Sequence, residues 1–132
     1  MGLDMYASSV PAEVIGNQQV DIVFPAFIRN EYLPQQFAQW CKFNHLHGWM
    51  QRLYFAKGGV SPDFNCDTVR ITATEINLLE AAWKNKALTA TEGFFFGGDE
   101  WEPEYDDELL TFIAKARACF ARGEAVLYSS WW

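Results

Sequence analysis

The sequence predicts an α+β fold in which a mixed or mostly antiparallel sheet of about five strands is packed by three helices. Three observations point to it. Apolar residues alternate with polar ones from Leu3 to Ser8, the mark of a half-buried strand, and Ala125 to Ser130 reads as a strand at the other end. Between those ends lie three stretches in which apolar residues recur at helical spacing. The length of 132 residues, half of them apolar and 17% aromatic, suits a single α+β domain over residues 1–132 with ample surface to bury.

Each element has its own signal. Leu3, Met5 and Ala7 alternate with Asp4, Tyr6 and Ser8 as a first strand. Pro11 and Gly16-Asn17 punctuate a loop, Val20 to Phe24 reads as a second strand, and Pro25 ends it. Phe43, Leu46, Met50, Leu53 and Tyr54 form a helical stripe, with Trp40 one turn earlier. This predicts a helix opening at Pro34 and stopping at Gly58-Gly59. Gly48 inside that helix costs about 1 kcal/mol relative to alanine, which implies close packing or a nearby ligand.

Val69 and Ile71 mark a short strand. Thr72 and Glu75 have capping-box spacing ahead of a second helix that buries Ile76, Leu79 and Trp83. Gly93 to Gly98, with Phe94-Phe95-Phe96 inside it, reads as a short buried strand bounded by turns. Leu109, Phe112, Ile113, Ala116 and Phe120 form a third helical stripe, with Asp106 as its cap and Gly123 as its stop. Ala125 to Ser130 is the last strand, and the two terminal strands are candidates to pair.

Charge and composition narrow the function. The net charge of −7 is concentrated in one run: Asp99, Glu100, Glu102, Glu104, Asp106, Asp107 and Glu108. Without these residues ten acids face ten bases. That balance argues against a nucleic-acid backbone binder, which needs a basic stripe. The acidic run suits a solvated face and helix cap, or a docking surface for a basic partner. Its order does not match an EF-hand loop. The opening residues carry no signal-peptide pattern, and no apolar run is long enough to span a bilayer. Three widely spaced cysteines, Cys41, Cys66 and Cys119, fit reduced thiols in a cytoplasm better than a disulfide framework.

The most informative segment runs from Trp40 to Trp49. His47 falls on the apolar stripe and Asn44 at its edge, so both need partners. Either they are satisfied core residues, or they form the polar floor of a pocket walled by aromatics. Trp40, Trp49, Phe94, Phe96 and Trp101 are the candidate walls, with Tyr105 beside them. Lys42, Arg52 and Arg70 are the available cations. On the expected helix Cys41 and His45 lie one turn apart, half of a zinc site that no CxxC, HxxxH or HExxH pattern completes. No cofactor and no metal is expected. The nucleophile-elbow, phosphate-loop and dinucleotide motifs are all missing. The expectation is therefore a non-enzyme.

Several segments carry a resemblance. The opening Met1-Gly2-Leu3-Asp4-Met5-Tyr6 is one. The others are Trp40-x-Lys42-x-Asn44-x-x-His47-x-Trp49, Glu92-Gly93-Phe94-Phe95-Phe96-Gly97 and Ser129-Ser130-Trp131. Together they resemble a family of small proteins of tailed phages and prophages, of unsettled function. Its members sometimes carry a phosphoglycerate kinase label. This chain is far too short for that two-domain enzyme and has no nucleotide motif. Relatives often place Arg directly after the first tryptophan of the second segment. Here Cys41 stands there, which weakens an anion-binding role at that position.

The resemblance implies an accessory protein acting in the cytoplasm of a bacterial host. Proteins of that kind capture a small host signal or inhibit a host protein. The leading expectation is non-catalytic ligand binding through Trp40, Asn44, His47, Trp49, Phe94, Phe96 and Trp101, sequestering a nucleotide-like immune signal. The second is an acidic inhibitor or nucleic-acid mimic that docks a host protein through Asp99, Glu100, Glu102, Glu104, Asp106 and Asp107. The third is a small enzyme with His47 as base. No membrane partner is expected, and Trp131-Trp132 suits either the core or a dimer contact.

Overall fold

A computed structural model describes residues 2–91, 93 and 96–132. The chain opens with strand β1 (Asp4–Pro11), whose Met5 and Ala7 side chains are buried in the core, as is Leu3 just before it. The last strand, β4 (Glu124–Trp131), pairs antiparallel with β1 along its whole length, from Asp4 opposite Trp131 to Pro11 opposite Glu124. The terminal strands thus form the centre of the sheet. Strand β2 (Gln35–Cys41) flanks β1, and the short β3 (Thr68–Ile71) flanks β4. The order is β2-β1-β4-β3, all antiparallel.

The two sheet faces are covered differently. Leu3, Met5, Ala7, Trp40, Val69, Ile71, Val126 and Tyr128 face the main core. Three helices complete that core: α2 (Asn44–Ala56), α3 (Ala73–Lys84) and α4 (Glu104–Ala121). On the opposite face, Val10, Ala125 and Leu127 pack against Ile15 of a single-turn helix, α1 (Ala12–Ile15). Ile22 and Phe24 extend that smaller cluster. A turn of 3-10 helix at Asn30–Tyr32 leads into β2.

The capping box is present. Thr72 accepts from the Glu75 amide, and the Glu75 side chain accepts from the Thr72 amide. Lys57 then reaches both the Glu75 carboxylate and the Arg70 carbonyl, tying α2 to the start of α3. Gly58 ends α2 at φ +96°, a conformation that excludes most side chains. Arg117 on α4 grips Glu80 at 3.0 Å and Asn77 at 2.9 Å, joining α4 to α3.

The fold class is α+β, but the described residues hold four strands and four helices, and several elements differ from expectation. The helix expected from Pro34 begins at Asn44, and residues 35–41 are strand β2. Trp40 and Ala38 face inward at strand spacing, and the free edge of β1 recruits the segment. Lys42, at φ +57°, turns the chain between strand and helix. Cys41 therefore lies on β2, not one helical turn before His45 on a shared helix.

The strand expected at Val20–Phe24 shrinks to one bridge, Val20 opposite Val69. Asp21 adopts φ +49°, which breaks the extended run, and its carboxylate accepts from the Tyr54 hydroxyl at 2.6 Å. The strand expected around Phe94-Phe95-Phe96 falls largely outside the described residues, which exclude Phe94 and Phe95. Phe96 itself sits in a bend, with its amide donating to the Gly93 carbonyl at 3.2 Å. Asp106 is inside the first turn of α4, which starts at Glu104, and is not its cap.

Candidate functional site

Asn44 is the first residue of α2 and is buried. Its amide nitrogen donates to the carbonyls of Phe96 at 3.0 Å and Gly98 at 2.8 Å, and its oxygen accepts from the Thr91 amide at 2.9 Å. One side chain thus holds three backbone positions of the connection between α3 and α4. His45 adds a fourth tie. Its Nε2 donates to the Asp99 carbonyl at 3.1 Å, because a carbonyl only accepts. Gly48 follows on the same helix. A Cβ there would collide with the Thr91 side chain, so the glycine reflects close packing of this connection.

His47 lies deeper. It is wholly buried, stacked on Phe64 with ring centres 5.4 Å apart, and edge-on to Phe96 at 4.9 Å. Its Nδ1 is 2.7 Å from the Tyr128 hydroxyl. Burial pushes its pKa down to about 4, so it is neutral at physiological pH. Burial likewise raises the Tyr128 phenol well above its ordinary range. His47, Asn44 and Phe96 are brought together, but inside the core and not on a cleft.

The other expected walls separate. Trp40 is buried on β2, edge-on to Phe112 at 5.1 Å. Trp49 is half-buried on α2, and Phe94 lies outside the described residues. Trp101 is the exception. It packs edge-on to His45 at 5.3 Å, to Phe43 at 5.5 Å and to Tyr105 at 5.4 Å. Phe43 and Tyr105 stack at 3.9 Å behind it. The aromatic cluster at the start of α2 therefore buttresses one indole.

That indole borders a cleft of about 610 Å³, lined by Trp83, Lys84, Lys86, Leu88, Trp101 and Asp106. The volume suits a drug-sized molecule. Asp106 organises it: Oδ1 accepts from Trp83 Nε1 at 2.8 Å and from Trp101 Nε1 at 3.2 Å. Two indoles from opposite ends of the α3–α4 connection are thereby fixed through one carboxylate oxygen. The lysines come from the last turn of α3 and the residues after it. Lys84 makes only a loose pair with Glu80 at 3.8 Å. Lys86 sits at φ +54° just past the helix end, its amide donating to the Trp83 carbonyl.

Trp101 and Asp106 are among the residues expected in a site, whereas Trp83 is expected in the core and Lys84, Lys86 and Leu88 carry no expectation. The available signal was Trp83-Lys84-Asn85-Lys86, an aromatic and two bases at a helix terminus. Of the acidic run, Asp99, Glu100, Glu102, Glu104 and Asp107 are exposed, whereas Asp106 is half-buried and engaged. Among the described residues, no group of three His, Cys, Asp or Glu side chains is placed to hold a metal, and no helix is long and apolar enough to cross a membrane.

Compared with protein-family models, with curated proteins and with solved structures, the chain finds no match.

Proposed function

We propose that the protein is a non-catalytic binding protein that captures a small, flat, anionic ligand in the cleft between Trp83 and Trp101. The observation that carries this reading is the shared Asp106 oxygen, which fixes both indoles beside two lysines. Indole faces attract a planar ring, and lysines attract a phosphate or carboxylate. A fixed site avoids part of the ordering cost of binding. Nucleotides and nucleotide-derived signals have this combination of ring and charge. The reading keeps the ligand class expected from the sequence but moves the site from Asn44 and His47 to the α3–α4 cleft. Those two residues act on the site indirectly, through the chain that carries Trp101.

In this reading the protein acts by sequestration in the cytoplasm of a bacterial host, the setting that the phage resemblance implies. It assigns His47 no base role, because the ring is wholly buried and does not line the cleft. A thermal-shift panel of nucleotides, cyclic nucleotides and ADP-ribose derivatives tests it. A ligand at about 100 times its dissociation constant adds roughly 2.7 kcal/mol of stability.

A further inference from the structure

A second surface, separate from the cleft, lies along the outer edge of the sheet. Strand β2 is the last strand on its side and has no neighbour beyond it among the described residues. The Lys42 amide donates to the Leu3 carbonyl, so the antiparallel alternation turns Trp40 and Ala38 toward β1. The backbone groups of Gln39 and Cys41 consequently point outward. The register shifts beside Ala38, leaving Phe37 as an extra residue in β2.

Helix α4 runs beside this edge and leaves a groove of about 360 Å³. Its floor is Phe112, stacked on Phe37 at 6.0 Å and edge-on to Trp40 at 5.1 Å. Its far wall is one stripe of α4: Asp107, Glu108, Thr111 and Lys115. The acidic end of this wall continues into Glu104, one turn earlier. Burial and the neighbouring Glu104 carboxylate raise the Glu108 pKa. At the other end Lys115 donates to the Phe37 carbonyl at 3.4 Å and closes one outward acceptor of the edge. Edge strands are often guarded by lysine in this way, and here the guard covers only one end.

We propose that the β2–α4 groove binds an extended basic peptide, which adds to the sheet as a fifth strand. The backbone of Gln39 and Cys41 supplies the ladder bonds, the half-buried Phe37 takes an apolar side chain, and the Asp107–Glu108 end takes Lys or Arg. The occupant is chosen by charge. An uncharged strand edge gives no electrostatic preference, but the wall facing it is acidic where it is open. A second copy of this chain, also acidic overall, fits that wall less well. This surface gives a geometry to the protein-docking reading of the acidic run, and it does not depend on the ligand cleft.

Fluorescence anisotropy with labelled peptides of about eight residues tests the proposal. A peptide alternating valine and arginine binds, and its valine–glutamate counterpart does not. Binding weakens between roughly 50 mM and roughly 500 mM salt. The double substitution Asp107→Asn/Glu108→Gln, on an exposed helix face, weakens it about tenfold. Lys115→Ala strengthens it by freeing the Phe37 carbonyl. The same arginine peptide with alternate backbone amides methylated loses binding, because its charge is kept and its ladder donors are removed. Equal binding of the methylated and parent peptides, or of the basic and acidic peptides, overturns the proposal. So does a concentration-dependent dimer, seen by sedimentation velocity, that the arginine peptide does not dissociate. That result gives the edge to a second copy.

Discussion

The indole N–H of Trp83 ends 2.8 Å from Oδ1 of Asp106, joining the last turn of α3 to the first turn of α4. Trp101 shares the same oxygen. Asp106→Ala therefore removes one acceptor and releases two donors. Bonds to a charged group are worth about 1.5–3 kcal/mol each, reduced here because both indoles are only half-buried. The expected loss is about 2 kcal/mol in urea denaturation. Asp106→Asn, which keeps an acceptor oxygen, loses less than half as much.

His47 makes stability depend on pH. Its folded pKa of about 4 lies below the ordinary value of 6.5, so the unfolded chain binds the proton more tightly. The contribution is fully present above pH 6.5 and is lost as the pH falls toward 4. With these two pKa values the loss reaches roughly 2 kcal/mol by pH 5, before most carboxylates titrate. His47→Gln is expected to lower stability at pH 7 and to flatten its dependence between pH 6.5 and 5. Denaturation midpoints at pH 7, 6 and 5 check this.

Asn44 separates its roles as donor and acceptor. Asn44→Ala leaves the Thr91 amide and the Phe96 and Gly98 carbonyls without their partner, at an expected cost of about 3 kcal/mol. Asn44→Asp keeps the acceptor for Thr91 but sets a carboxylate against two carbonyls, and is expected to be worse. The expected stability order is Asn, then Ala, then Asp, read by thermal denaturation at neutral pH. Because the held segment leads to Trp101, the fluorescence of that indole shifts to the red in both variants.

The sequence revealed those elements whose periodicity was self-contained. The stripe from Phe43 to Tyr54, the capping box of Thr72 and Glu75, and the alternation at Leu3, Met5 and Ala7 each reported a real element. Residues 35–41 misled because a single inward tryptophan, Trp40, fits helix or strand, and the choice was made by the free edge of β1. Val20–Phe24 had strand composition, but the left-handed Asp21 is invisible in composition. In the site, Asn44 and His47 are legible as inward polar groups, yet both lie within the core, where Asn44 is fully engaged and His47 is held through Nδ1 alone, its Nε2 having no partner among the described residues. The cleft was hidden because Trp101 lies far in sequence from Trp83 and Lys86. Only the double hydrogen bond to Asp106 unites two of them.

The cleft is tested most directly at its rim. A thermal-shift panel of nucleotides, cyclic nucleotides and ADP-ribose derivatives is run on the wild type and on Lys84→Ala/Lys86→Ala, which leaves the indoles and Asp106 untouched. A shift of several degrees with at least one phosphorylated compound is expected on the wild type, and little or none on the variant. No shift with any compound, or an equal shift on both proteins, would contradict a ligand site between Trp83 and Trp101.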